Sequence, residues 1–175
     1  MRAQRKRPAS LRARAYHEAG HAVAALCHGF RVLHARVLGP ETSDTDYDTI
    51  PADVLVKYAG LAGQRLIDPS APDADGGDDA AQAARLVRDM LRSKGRRKEY
   101  RDQRRADAAH LVRKLRAPIA ALARVLMRRP KMSGAEVEKV VAPYLRRLRI
   151  GRLSEANLSD ERVVRRAHRR APPER

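Results

Sequence analysis

Several residue types are rare in the sequence, and their scarcity narrows the possible classes of protein. The 175 residues include no tryptophan, one phenylalanine and one cysteine, Cys27. A single cysteine excludes an intramolecular disulfide framework and is compatible with a reducing cytoplasm. The shortage of aromatic side chains argues against a platform that stacks single-stranded bases. No apolar run approaches the length of a membrane span, and no hydrophobic signal core follows the basic start MRAQRKRPAS. We therefore expect a soluble, cytoplasmic protein.

Acidic residues are also in the minority, because 38 lysines and arginines exceed 21 aspartates and glutamates by 17. The basic residues concentrate at positions 85–116 and from 146 onward, whereas positions 41–79 are mainly acidic. Two interpretations are open. The basic segments attract nucleic acid or an acidic partner, or they are solvated helix faces in a chain rich in arginine.

The first half of the sequence predicts three helices and one short strand or hairpin. A helix is expected at residues 11–28, ending at Gly29, and a strand within FRVLHARVLGPE. The polar TSDTDYDT is expected to be a connector. PADVLVKYAGLAGQRLI has helical spacing, with Pro51 suited to a first helical turn. After the loop DPSAPDADGGDD, a third helix begins at Asp78 and Asp79, where acidic residues favour the positive end of the helix dipole.

The second half of the sequence predicts further helices, so the fold class is mostly α. RSKGRRKEYRDQRR is expected to be an exposed charged segment, followed by helices at residues 106–116 and 118–128 that Pro118 separates. Ser133 and Glu136 form a capping-box sequence that begins the last helix. Beyond Pro143 the chain is basic and poorly patterned. We expect a basic disordered tail at residues 1–10, one domain at 11–142 and a basic extension at 143–175.

The motif with the clearest chemical meaning lies in YHEAGHAVAALCHGF, within the first predicted helix. A helix places His17 and His21, at positions i and i+4, on one face and within reach of one metal ion. Glu18 lies about 100° round the helix from His17, where it can contact a metal-activated water without binding the ion. This is the HExxH arrangement of zinc hydrolases, in which the glutamate accepts a proton from the water. The alternative is an amphipathic helix that carries the pattern by chance.

A catalytic zinc site needs a third protein ligand, and the same helix does not supply it. His28 lies about 10 Å along the helix axis from His21, too far to share the ion, and Cys27 is expected to be a small core residue. The longer motif HExxHxxGxxH is absent. The acidic loop before the third helix offers four candidates, which are Asp73, Asp75, Asp78 and Asp79.

The motifs resemble, in order, those of the FtsH-type ATP-dependent metalloproteases. YHEAGHAV is similar to the family's zinc motif, VLHARVL to the strand after the zinc helix and YAGLAGQRL to its small-residue helix. GGDDAAQAARLVRDM resembles the helix whose aspartate is the third zinc ligand, and this resemblance implies that Asp79 is that ligand. The segment 108–141 is similar to the C-terminal helices, so the resemblance covers residues 11–142. Gln64 departs from the family, which usually has a glutamate there. For Asp79, an N-cap role is the alternative.

The resemblance implies an FtsH-like zinc metalloendopeptidase that cleaves unfolded or flexible polypeptide segments. His17, His21 and Asp79 would bind Zn²⁺, and Glu18 would act as the general base. No GxxxxGKS/T phosphate loop occurs, so we expect a stand-alone peptidase domain, without membrane anchor, that needs a separate AAA ATPase for ATP-driven work. Self-association into a homo-oligomer is an option, because family members form six-fold rings. The alternative is a catalytically silent, zinc-stabilised helical protein whose basic surface binds nucleic acid or an acidic partner.

Overall fold

The structure, a computed structural model, describes residues 10–37, 43–47, 53–71 and 77–148. The predicted tail before Ser10 and the extension after Leu148 lie outside these residues. The described elements are α1 (Leu11–Cys27), β1 (Val32–Val37), β2 (Ser43–Tyr47), α2 (Asp53–Gln64), α3 (Gly77–Met90), α4 (Lys94–Lys114), α5 (Arg116–Arg128), β3 (Lys131–Ser133) and α6 (Gly134–Arg147). The prediction of a mostly α fold is confirmed. None of the described helices is long and apolar enough to cross a membrane.

Helix α1 is the central element, and its small residues allow neighbouring helices to approach closely. The Ser10 side chain caps its N-terminus by accepting a hydrogen bond from the Ala13 N–H at 3.1 Å. Gly29, at φ 79°, ends it in a left-handed conformation that favours glycine. Its alanines are almost fully buried. A Cβ atom on Gly63 of α2 would lie 2.5 Å from the Tyr16 carbonyl oxygen, so the backbones of α1 and α2 are in contact there.

The strands form one antiparallel sheet in the order β2-β1-β3. Strand β1 is the predicted strand, and Ala35 at its centre is paired with Thr45 on one side and Met132 on the other. The prediction that TSDTDYDT is only a connector is wrong, because Ser43–Tyr47 is the edge strand β2. Main-chain hydrogen bonds to β1 do not require an apolar sequence, and an edge strand tolerates polar side chains. The pair β1–β2 is the hairpin that the fold prediction allowed.

Two hydrophobic clusters hold the helices together. The larger one joins α1, β1, α5 and α6 through residues such as Val23, Ile119 and Val137. The smaller one packs α3 and α4 onto α2 through Tyr58, Val87 and other residues. This second cluster is what positions the beginning of α3 next to α1.

The boundaries of α4, α5 and α6 differ from the prediction. The charged segment RSKGRRKEYRDQRR is mostly exposed, as predicted, but most of it is the first half of α4, which therefore begins before the predicted residue 106. Ion pairs one turn apart support it, such as Lys98–Asp102 at 2.7 Å, and the side chain of Tyr100 anchors it in the smaller cluster. The break before α5 falls at Leu115, since Pro118 lies within the first turn of α5, where a backbone N–H has no intrahelical acceptor.

Helix α6 begins as predicted and continues further than predicted. Ser133 and Glu136 form both hydrogen bonds of a capping box. The hydrogen bonds to Glu136, from the Ser133 backbone and then from Arg129, lower the pKa of this carboxyl to about 2. The helix passes through Pro143 and ends at Arg147, so the basic segment after Pro143 begins as helix.

Candidate metal centre

The two histidines of the HExxH sequence lie on the face of α1 that contacts α2. The Nδ1–H of His21 donates a hydrogen bond to the Val56 carbonyl oxygen at 2.8 Å. This bond fixes the tautomer of the neutral imidazole, so its Nε2 carries a lone pair directed into the site. The Nε2 atoms of His17 and His21 are 3.0 Å apart, and the two rings are nearly perpendicular, at 76°. Both imidazoles therefore direct a nitrogen toward the same point.

Asp79, in the first turn of α3, completes the cluster. Its Oδ2 atom lies 3.0 Å from the Nε2 of His17 and 2.9 Å from the Nε2 of His21. Its other carboxylate oxygen, Oδ1, lies 3.5 Å from the Nζ of Lys57. The Asp79 side chain is thus directed at the histidines. Of the four acidic candidates, Asp73 and Asp75 lie outside the described residues, and of Asp78 only the helical backbone is described.

The donor set and its spacing fit a metal ion such as zinc. Ligands of a tetrahedral zinc ion, with bonds of about 2.0–2.1 Å, are about 3.3 Å apart. The three donor atoms here are separated by 2.9–3.0 Å, so a small outward movement would accommodate the ion. Two neutral imidazoles and one carboxylate are also a common zinc donor set. These three residues are the group of possible metal ligands found among the described residues.

The backbone of α2 forms one wall of the cluster at Gly60. A Cβ atom at this position would lie 2.7 Å from the Nε2 of His17 and closer still to the ring of His21. Glycine is therefore the residue that lets α2 approach both imidazoles. The side chains of His17 and Asp79 are 13% and 20% exposed, and that of His21 is 6% exposed. The cluster is therefore partly accessible to solvent.

The charges within the cluster alter the pKa of its members. Burial alone would lower the pKa of His21, but the Asp79 carboxylate, its hydrogen bond and the nearby Glu18 raise the pKa above the ordinary 6.5. Burial alone would raise the pKa of Asp79, but His21 and His17 bring it below the ordinary 3.8. The cluster therefore favours a carboxylate together with positive charge on or between the imidazoles. A bound cation meets the same electrostatic demand as a proton.

Glu18 is buried next to these residues. It keeps 4% of its exposure, and its charge is close enough to His21 to favour the protonated imidazole. A carboxylate is rarely buried to this degree unless it is paired or has a chemical role. Glu18 is thus beside the ligand cluster, as the HExxH spacing predicts.

The remaining residues considered from the sequence lie away from the three ligand atoms or serve the core. His28 caps the C-terminus of α1 and stacks on Phe30, with ring centroids 6.3 Å apart. Cys27 is 1% exposed, so it is the small core residue expected, and burial raises the pKa of its thiol to about 12. Gln64, in the position where a glutamate was expected by resemblance, is buried at the end of α2.

Three contributors to the site were not found from the sequence. They are the Val56 carbonyl group, the Lys57 ammonium group and the space left by Gly60. Only Gly60 had a sequence signal, since a glycine inside a helical pattern indicates a close approach of another group. No protein-family model matches the chain, and no curated protein matches it.

Proposed function

We propose that the protein is a zinc-dependent metalloendopeptidase that resembles the proteolytic domain of the FtsH-type family. The observation that carries the proposal is the convergence of His17, His21 and Asp79 within hydrogen-bonding distance of one another. The buried carboxylate of Glu18 beside them supports a hydrolytic role, because a purely structural zinc site usually has four protein ligands and needs no buried base.

The residues of the chain have separate tasks in the proposed reaction. His17, His21 and Asp79 would hold the zinc ion, which supplies Lewis-acid polarisation of a peptide carbonyl and activation of water. The Val56 carbonyl group holds His21 in the required tautomer. Glu18 would accept a proton from the attacking water and pass it to the leaving amine. Lys57 holds the second oxygen of Asp79 and so orients this carboxylate.

The proposed substrate class comes from the resemblance to the proteolytic domain of the FtsH-type family. The three proposed ligands form a metal site in a sequence whose 175 residues include no phosphate-binding loop of the GxxxxGKS/T type. Such a site can act on polypeptide segments that are already unfolded or flexible. Folded substrates would require a separate AAA ATPase to deliver them. Zinc is the expected cofactor.

The test compares Glu18→Gln with wild type in metal content and in cleavage of unfolded casein. Wild type should bind about one zinc per chain and cleave casein, and a chelator should abolish the cleavage until zinc is restored. Glu18→Gln should keep its zinc and lose about 10²–10⁴-fold in cleavage rate, the usual contribution of a general base. Glu138→Gln, which alters an exposed carboxylate of α6, is the matched control and should cleave normally.

Two outcomes would contradict the proposal. Unchanged cleavage by Glu18→Gln would remove Glu18 from the reaction. Stoichiometric zinc without any cleavage by wild type would favour the alternative of a silent, zinc-stabilised protein. In that case the basic surface would carry the function, and nucleic-acid binding should weaken steeply as salt is raised.

A further inference from the structure

A second concave site lies between α2 and α4, on a different face of α2 from the metal centre. The cavity has a volume of about 560 Å³, within the range of about 300–1,000 Å³ that is typical of small-molecule sites. Leu61, Leu66 and Val112 contribute apolar surface to it. The metal centre uses Val56, Lys57 and Gly60 of the same helix. The two sites therefore share α2 and no described side chain.

Four arginines line this cavity, and no acidic side chain is among its described lining residues. They are Arg65, Arg105, Arg113 and Arg116. Four guanidinium groups around one cavity repel one another in the absence of an anion. Elsewhere on α4, basic side chains form ion pairs with aspartates, as in Lys98–Asp102 and Arg104–Asp107.

Two of the four arginines are already held in place by the protein. Arg65 donates its Nε–H to the Ala71 carbonyl oxygen at 3.0 Å. The guanidinium group of Arg105 lies 5.2 Å from the centre of the Tyr58 ring and 3.9 Å from Asp102. Asp102 is bound more closely by Lys98, at 2.7 Å. These contacts hold the two arginines at the cavity.

Arg113 and Arg116 have no ion pair within the part of the chain that the structure describes. Both side chains are exposed, one at the end of α4 and the other at the start of α5. Guanidinium groups bind phosphate and carboxylate groups through paired N–H donors. These two residues are therefore the free anion-binding groups of the cavity.

Tyr58 gives an independent indication of a missing ligand. Its side chain lines the cavity and keeps 5% of its exposure, yet its buried hydroxyl has no hydrogen-bond partner among the described residues. A buried hydroxyl without a partner is unfavourable and is rarely left so in folded proteins. The wall of the cavity therefore includes a residue whose polar group no described residue satisfies.

We propose that this arginine cleft binds a small amphipathic anion. Arg113 and Arg116 hold its phosphate or carboxylate group, and its apolar body packs on Leu61, Leu66 and Val112. A nucleic-acid backbone would use the arginines and leave the apolar surface uncovered, so a small ligand fits the cavity better. Phosphate and carboxylate share this chemistry, and the experiment distinguishes them.

The test measures the binding of three six-carbon probes by calorimetry on the full chain. Hexyl phosphate and hexanoate carry the two anionic groups, and hexanol is the neutral probe. The double variant Arg113→Gln/Arg116→Gln removes the anion-binding groups. Lys114→Gln/Arg128→Gln removes the same charge from exposed positions outside the cleft and is the matched control. Circular dichroism of each variant establishes that it is folded.

Saturable binding of hexyl phosphate or hexanoate to wild type is expected, and the stronger probe identifies the preferred anionic group. Arg113→Gln/Arg116→Gln should weaken the affinity for this probe at least about tenfold, the effect of losing a hydrogen bond to a charged group. The control variant should change the affinity less than about twofold. Equal binding of hexanol, no saturable binding of either anion, or equal weakening in both variants would overturn the proposal. If duplex DNA bound and neither small anion did, the arginines would belong to a surface that binds polyanions, and the proposal would be wrong. None of these measurements depends on zinc or on peptidase activity.

Discussion

Replacement of Gly60 by alanine tests the geometry of the metal centre most directly. The added methyl group would lie 2.7 Å from the Nε2 of His17 and closer to the ring of His21. Ordinary contacts of a Cβ atom are 3.4–4 Å, so the methyl group and the imidazoles cannot keep their present positions. His21 has little freedom to move, because it is 4% exposed and bonded to Val56 through Nδ1.

The expected magnitude is the difference between two opposing effects. In an open helical position, glycine to alanine stabilises a protein by up to ~1 kcal/mol. Overpacking a filled site costs ~1–3 kcal/mol. The metal-free Gly60→Ala protein should therefore be ~0–3 kcal/mol less stable than wild type. Zinc affinity should fall about 10–100-fold, the usual effect of disturbing the residues that support metal ligands.

Gly95 offers the matched control. It lies in the exposed start of α4, and an added Cβ atom would have the Ser93 hydroxyl oxygen as its nearest neighbour, at 4.0 Å. Gly95→Ala should leave zinc affinity unchanged and should not destabilise the protein. Urea unfolding in a chelator gives the free energies of unfolding, and competition with a chromophoric chelator gives the zinc affinities. If Gly60→Ala matched Gly95→Ala in both measurements, α2 could not be as close to the imidazoles as described.

Two further predictions concern ionisation. Asp79→Asn should weaken zinc binding at least about tenfold and should lower the pKa of His21 in the metal-free protein, because burial then acts without the opposing carboxylate. An NMR titration of the imidazole measures this, and an unchanged pKa would separate Asp79 from the cluster. Glu136→Gln should destabilise the protein at neutral pH through loss of the capping box. Because the pKa of Glu136 falls from 4.5 to about 2 on folding, its contribution is complete above pH 4.5 and is lost as the pH falls toward 2. The difference in urea midpoint between wild type and variant should therefore shrink over that interval, and a constant difference would contradict the assignment.

Sequence patterns were sufficient where an element has its own local signal. Helix α1 begins at the Ser10 cap and ends at Gly29, and α6 begins at the Ser133–Glu136 capping box. The positions of His17 and His21 follow from helical spacing alone. The local pattern left four acidic candidates for the third ligand, and only the resemblance to a family selected Asp79.

Patterns failed where the stabilising contact is made by another part of the chain. Strand β2 consists of polar residues, and its stability comes from main-chain pairing with β1. The first half of α4 has few apolar residues, and Tyr100 packs it against α2 and α3. The Val56 carbonyl group acts on His21 only because α2 packs closely on α1. All three contacts depend on tertiary packing, which the spacing of hydrophobic residues along the sequence does not encode.

The position of Asp79 in the chain links the proposed zinc binding to folding. His17 and His21 are one helical turn apart, but Asp79 is 58 residues beyond His21. It reaches them only when α2 packs on α1 through Gly63 and α3 packs on α2 through the smaller cluster. An unfolded chain offers at most the two histidines, which bind a metal ion far more weakly than three preorganised ligands. Zinc bound at this centre would therefore stabilise the packing of α1, α2 and α3 together, because the free energy of completing the site becomes free energy of folding.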